Sequence, residues 1–280
     1  MNIGYIKIAL ALFCVAYFMQ NVAFASELYS SATSSNEESK QQLSADPEEA
    51  KQAANVMADA LAIAQKHAKH TNDYKLYLKK DDETALYFKR VNDTDIAKLD
   101  LTIPNPDSYG CIISMLMDPN APKNLYGGRA EGALSRIYDP NLVIIKQHYT
   151  NNSGPWQRYC HLLANKTELS EEETAIVFVS PDVNDHDSKK NKNYVNPIVE
   201  SANSFKPDIN PQGSIRNQNA LKMYVNLAAF FIKKEADCVN VTFISSIDLN
   251  ASPKAKKQAV KKVTANIILD IAKLRDIFKN

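Results

Sequence analysis

Apolar and polar positions alternate along this chain with two periods. Ala53, Val56, Met57, Ala60, Ile63, Ala64 and His67 recur every three or four residues, which predicts a helix over 47–70 with His67 half-buried at its edge. Asp46 can cap that helix, Pro47 suits its first position, and Glu48 and Glu49 suit its positive dipole end. Strand-like runs follow at 74–80, 84–91 and 97–103, the first two joined by a hairpin turn at Asp81-Asp82-Glu83. Pro104 and Pro106 end the third and open a helix over 106–117, with Tyr109, Ile112, Ile113 and Leu116 facing inward; Asp118-Pro119-Asn120 stops it. Residues 120–130 form a loop or short helix around Gly127-Gly128, and further strands fall at 132–138, 141–149, 156–165 and 173–180.

The segment 181–216 is polar, carries Pro181, Pro197, Pro207 and Pro211, and is expected to be a long surface insertion with a short helix from Asn196 to Ser204. Two long apolar strands, 222–232 and 238–249, then feed a helix that runs to the C-terminus, with Ser252 as its cap and Pro253 at its first position. Val260, Val263, Ile267, Ile271, Leu274 and Phe278 make its apolar seam, widened by Ile268 and Ile277, and Lys256, Lys257, Lys261 and Lys262 solvate the other face. The expected fold class is α+β: a curved antiparallel sheet closed by the C-terminal helix, with an apolar tunnel between them.

Strand alternation selects candidate linings for that space. Trp156, Arg158, Cys160, Leu162 and Ala164 share one face of their strand. In 141–149 the set Val143, Ile145, Gln147 and Tyr149 is the better inward face than Leu142, Ile144, Lys146 and His148. Both faces of 222–232 are apolar, and alternation does not choose between Tyr224, Ala228, Phe230, Ile232 and the set Met223, Val225, Leu227, Ala229, Phe231. Tyr224 and Phe230 join Phe243, Val263, Ile267 and Ile271 as candidate lining. Arg158 is a cation on an apolar row, to be paired by a buried carboxylate or by a ligand phosphate. Trp156 is a core anchor or a platform for a quaternary ammonium group.

The leader changes the picture of the rest. Lys7, an apolar run from Ile8 to Met19 and Ala23-Phe24-Ala25 read as a secretory signal peptide over residues 1–25, cleaved after Ala25. Residues 26–46 are Ser/Glu-rich and are expected to be a disordered linker, leaving 47–280 as one domain. Without the leader the chain carries no basic excess, which disfavours nucleic acid as a partner. Cys111, Cys160 and Cys238 are widely spaced and are expected to be three buried apolar thiols, with one disulfide pair plus a free thiol as the alternative. No Gly-x-Ser-x-Gly, phosphate loop or metal-ligand spacing is present, so no enzyme, cofactor or metal is expected. Asp185-His186-Asp187 is expected to be a solvated loop.

The order of helix, three strands, helix, six strands and long helix resembles that of the START (StAR-related lipid transfer) domain, the helix-grip fold. Ser153-Gly154-Pro155-Trp156-Gln157-Arg158-Tyr159 is similar to a Gly-Pro-Arg-Asp-Phe-like run of that family, and Ser245-Ser246-Ile247-Asp248-Leu249 to the stretch before its last helix. The family's adjacent Arg-Asp pair is replaced by Trp156-Gln157 with Arg158 following, and its Gly-x-x-Pro by Asn250-Ala251-Ser252-Pro253. The whole chain also resembles the fam-a proteins of rodent malaria parasites, through its leader, Asp-Thr-Asp-Ile at 93–96, Ile-Pro-Asn-Pro-Asp at 103–107, Asn-Pro-Ile-Val-Glu-Ser-Ala at 196–202 and Phe-Phe-Ile-Lys-Lys-Glu-Ala-Asp-Cys-Val at 230–239. These resemblances imply a secreted monomer that binds a phospholipid, phosphatidylcholine foremost, as cargo and carries it between membranes in transient contact with them. They place it in the parasitophorous vacuole or host erythrocyte. The alternative they leave open is a host-surface interaction module on the same scaffold without transfer. The loop Thr150–Pro155 and the C-terminal helix are the expected gate.

Overall fold

The structure is a computed structural model that describes residues 46–69, 72–81, 83–91, 93–126, 130–150, 157–186, 194–209 and 220–279. The leader, the linker, Trp156 and most of the expected gate loop lie outside the described residues.

Helix α1 (Pro47–Lys69) begins as its sequence requires: Asp46 Oδ1 accepts the Glu48 amide at 3.1 Å. Strands β1 (Lys75–Asp81), β2 (Thr84–Val91) and β3 (Thr94–Ile103) follow as a meander. A turn of 3-10 helix (Pro106–Ser108) leads into α2 (Tyr109–Met117), and α3 (Ala121–Tyr126) comes after one tight bend. Then come β4 (Ala130–Asp139), β5 (Leu142–Thr150), β6 (Gln157–Ser170), β7 (Glu173–Val179), the two-residue β8 (Leu221–Lys222), β9 (Tyr224–Lys234) and β10 (Val239–Asp248). The chain closes with α4 (Lys257–Leu269), a 3-10 turn (Asp270–Ala272) and α5 (Lys273–Phe278).

The ten described strands join one sheet in the order β1-β2-β3-β10-β9-β7-β6-β5-β4, antiparallel throughout except for β8, which lies off this path and pairs in parallel with β6. Two apolar layers lie on its faces. On one, α1 packs its Ala53, Val56, Met57, Ala60 and Ala64 against Ile144, Leu163, Val177, Leu227 and Ala229. On the other, α2, α3 and the C-terminal helices cover Leu99, Leu101, Ile145, Leu162, Phe230 and Phe243. Alternation therefore read β3, β5 and β6 correctly.

Three expectations are corrected. The segment 181–216 is no surface insertion where it is described: Val183, Val199, Ala202, Phe205 and Ile209 are buried in the α1 layer, and the expected helix is a single 3-10 turn, Glu200–Asn203. The C-terminal helix does not start at Pro253. Residues 253–255 are turn and bend, Lys256 is the cap residue, and the helix breaks at Asp270–Ala272. The buried stripe falls on Ala265, Ile268, Ile271, Leu274 and Phe278, so that Val263 is 46% exposed and Ile277 is exposed with it. Finally, Cys160 and Cys238 are free thiols, but Cys111 is disulfide-bonded to a partner outside the described residues.

Candidate functional site: an apolar cavity under the C-terminal helix

Between the sheet and its helical cover lies a cavity of about 210 Å³. Its floor is Leu162, Phe178, Met223, Val225, Ala228, Phe230, Phe243, Ser245, Ile247 and Leu249, and Gln147, Tyr149 and Thr150 of β5 form one wall. Leu116, Ala121, Pro122, Leu125 and Tyr126 of α2 and α3, with Ile267, Asp270 and Ile271 of the C-terminal segment, form the cover.

The cover is set by close approach at one glycine. A Cβ on Gly132 of β4 would stand 1.8 Å from the Pro119 carbonyl oxygen. Only glycine lets the α2–α3 bend sit against the sheet there. Asp118 Oδ1 accepts the Asn120 amide at 2.8 Å, and the bend swings α3 over the cavity. Lys273 Nζ donates to the Leu125 carbonyl at 2.7 Å and also meets Asp270 Oδ1 at 2.7 Å, which joins α3 to the break between α4 and α5. Arg275 pairs with Asp81 at 2.9 Å and with Glu83, and the Asn105 side chain donates to the Phe278 carbonyl at 3.0 Å. The C-terminal end of this helical segment is thus pinned, while residues 251–259, through the start of α4, are exposed.

A bulge decides which face of β9 looks into the cavity. Leu227 pairs with Ser246 and Val225 with Ile247, so Asn226 is an extra residue. Beyond it the alternation reverses: Ala228 and Phe230 face the cavity, and so do Val225 and Met223, whereas Tyr224 turns to the other side and stacks on Tyr194 at 3.8 Å. Asn226 is buried and saturated. Its Oδ1 accepts from Tyr194, its Nδ2 donates to Ser246 Oγ, and its carbonyl accepts from Asn196 Nδ2.

Of the candidate lining residues, Tyr149, Leu162, Phe230, Phe243, Ile267 and Ile271 line the cavity. Val143 and Ile145 are on the expected face but are packed in the core deeper along β5. Tyr224 and Val263 do not line it, for the reasons given. Arg158 stands beside its end, directly across from Tyr149 in the β5–β6 ladder. It is half-buried and holds backbone oxygens: Nε donates to the Leu249 carbonyl at 3.2 Å and Nη1 to that of Gln157 at 2.9 Å. Burial lowers its pKa from the usual arginine value. The lining that the sequence reading missed comes chiefly from α2 and α3 and from the far side of the bulge. Pro122 and Tyr126 in the Gly-flanked 120–130 stretch were the available signal.

The cavity wall is hydrocarbon with a few polar atoms. The Tyr149 hydroxyl donates to Gln147 Oε1 at 2.5 Å and burial pushes its pKa well up. Burial likewise raises the Cys160 thiol, across the ladder from Gln147, to about 12, so it stays protonated. No group of His, Cys, Asp and Glu able to hold a metal occurs among the described residues.

A second polar cluster lies behind the sheet. Asp185 is only 4% exposed, not part of a solvated loop. Its Oδ2 meets Lys222 Nζ at 2.9 Å, the Tyr159 hydroxyl at 3.2 Å and His161 Nε2 at 3.5 Å. Burial pushes the Asp185 carboxyl up, but His161 and Lys222 outweigh it and hold the group well below the usual carboxylate range. Burial lowers the His161 pKa against the pull of Asp185. His186 next door is half-exposed and pairs with Asp208 at 2.7 Å.

Solved structures share this fold. The human StarD13 (DLC2) lipid transfer and protein localization domain superposes with a TM-score of 0.52 at 13% identity, over 78% of this chain and 95% of that one. Human StAR-related lipid transfer protein 5 gives 0.55 at 7% identity, over 81% and 97%. The chain has the START fold. At these identities the likeness concerns the fold alone. No protein-family model matches the sequence, and no curated protein matches it.

Proposed function

We propose that this protein is a lipid carrier that takes a lipid from one membrane into the cavity and releases it at another without covalent chemistry. The observation that carries this reading is the apolar cavity itself, walled by Phe178, Phe230 and Phe243 and roofed by a helical segment whose C-terminal end is pinned and whose entry, residues 251–259, is exposed. Each methylene moved from water into such a space contributes about 0.8 kcal/mol, so a lipid must remain sheltered throughout transit. The names of the two START structures, both lipid transfer proteins, point the same way. The fam-a resemblance of the sequence adds the finer content: a secreted monomer, a phospholipid cargo with phosphatidylcholine foremost, and a destination in the parasitophorous vacuole or host erythrocyte. Arg158, at the cavity end, is the residue placed to meet a head-group phosphate.

Loading requires a membrane, and one surface suits it. Lys254, Lys256, Lys257 and Lys262 are exposed around the start of α4, and Lys261 lies 4.3 Å over the Phe88 ring. Tyr77 of the edge strand β1 packs edge-on against the same ring at 5.2 Å, beside exposed Leu76 and Leu78. Lysines interleaved with exposed apolar side chains fit an anionic bilayer surface.

The small volume favours a second reading, an interaction module that keeps the fold without transfer. Mass spectrometry of co-purifying lipid, followed by exchange between donor and acceptor vesicles, separates the two. The carrier reading expects stoichiometric lipid and catalysed exchange. A protein that exchanges nothing between vesicles is no carrier.

A further inference from the structure

The cavity wall holds polar hydrogens that no described residue uses. Ser245 of β10 lines the cavity at 1% exposure, and its hydroxyl has no hydrogen-bond partner among the described residues. Its cross-strand neighbours are Ala97 on β3 and Ala228 on β9, so small side chains flank it on both sides. Buried polar groups in folded proteins are almost always satisfied, and an orphan asks for an explanation. Gln147 lines the same cavity. Its Oε1 is taken by Tyr149, and its amide nitrogen makes no hydrogen bond among the described residues.

The Gln147 amide nitrogen can only donate and the Ser245 hydroxyl can donate as well as accept, so a ligand atom that complements both is an acceptor. Among the described lining residues there is no lysine, arginine or histidine, and the Asp270 carboxylate is taken by Lys273. The acceptor is therefore uncharged and not a phosphate or carboxylate, and among the uncharged oxygens of a lipid a carbonyl is the strongest acceptor. Size narrows the choice further. At about 210 Å³ the cavity is smaller than the ~300–1,000 Å³ of pockets that enclose a whole drug-sized ligand. The two tails of a diacyl lipid together carry about 30 methylenes.

Resting on the lipid-carrier reading, we propose that the cavity receives a single acyl chain whose uncharged carbonyl oxygen accepts a hydrogen bond from Ser245, with Gln147 as a second donor in the same wall. Any charged head group stays at the end flanked by Arg158.

The test uses the delipidated protein and two lysophosphatidylcholines of equal chain length below their micellar concentrations. One is ester-linked and carries a carbonyl; the other is ether-linked and carries none. Calorimetric titration should show the ester bound about tenfold more tightly by the wild type, the worth of one hydrogen bond in a dry site. Ser245→Ala should lose most of that preference, keeping only what Gln147 supplies. Its unfolding midpoint without lipid should equal or exceed that of the wild type, because the change removes a hydroxyl that had no partner. Ser245→Cys, a weaker donor of similar size, should show an intermediate preference. Equal wild-type affinities overturn the proposal, as does a preference undiminished in Ser245→Ala or a lowered lipid-free midpoint. Stoichiometric extraction of diacyl phosphatidylcholine from vesicles would overturn the single-chain assignment while leaving the carrier reading intact. Binding of no lipid of any kind would end both.

Discussion

The Asn226 side-chain amide donates to the Ser246 hydroxyl at 3.1 Å across the point where β9 and β10 lose register. That contact, with the bonds from Tyr194 and Asn196, holds one extra residue in β9 and so decides which side chains meet a ligand. Met223 and Val225 are brought into the cavity and Tyr224 is sent behind the sheet. Val225→Trp should therefore fill the cavity and abolish lipid binding in a fluorescent-lipid titration. Tyr224→Ala, whose ring lies outside, should leave the affinity within about twofold. Equal losses in both variants would refute the face assignment.

Arg158 should matter more for lipid exchange than for folding. Its guanidinium is held by two backbone carbonyls at the cavity end, and it is half-exposed to solvent, so Arg158→Leu should cost no more than about 1–2 kcal/mol of stability. The vesicle exchange rate should fall at least several-fold. An exchange rate unchanged in Arg158→Leu would remove this residue from the head-group site.

The buried cluster behind the sheet makes the stability of this protein sensitive to acid. His161 has a folded-state pKa below its unfolded value, so the unfolded chain binds the extra proton first, and stability falls as pH drops below about 6.5. Asp185 is also depressed, so its contribution is present above its unfolded pKa, about 4, and is lost as pH falls further. Denaturant midpoints should decline from pH 7 to pH 5, and His161→Gln should flatten that decline. Asp185→Ala strands Lys222 in the interior and should cost about 3–5 kcal/mol, against less than about 0.5 for Asp208→Ala at the exposed His186 pair.

Gly132→Ala should push the Pro119 carbonyl and the α2–α3 bend away from the sheet. Since α3 roofs the cavity, a loss of about 1–3 kcal/mol in stability should accompany weaker lipid retention, measured as a faster off-rate. A neutral outcome in both would show that the bend can relax without disturbing the roof.

The elements of this fold were legible in the order of residues because each depends on neighbours a few positions away. The stripe of α1, the Asp46 cap, the alternation of β3, β5 and β6 and the stop at Asp118 all follow from local spacing, and the alternation of β5 and β6 puts Tyr149 and Leu162 on the cavity face. Three features depend on contacts remote in the chain, and no local period encodes them. Asn226 is pinned by Asn196, Tyr194 and Ser246, so a strand apolar on both sides changes face midway. Asp185 is drawn inside by Lys222, Tyr159 and His161, which turns a polar tripeptide into core. The stripe of the last helix is set where Arg275 and Phe278 dock on the end of β1, the β1–β2 turn and the turn after β3, and that anchorage leaves Val263 in water although the three-four spacing pointed it inward. Periodicity fixes which residues share a surface; only closure of the sheet around its helices determines which surface encloses the cavity.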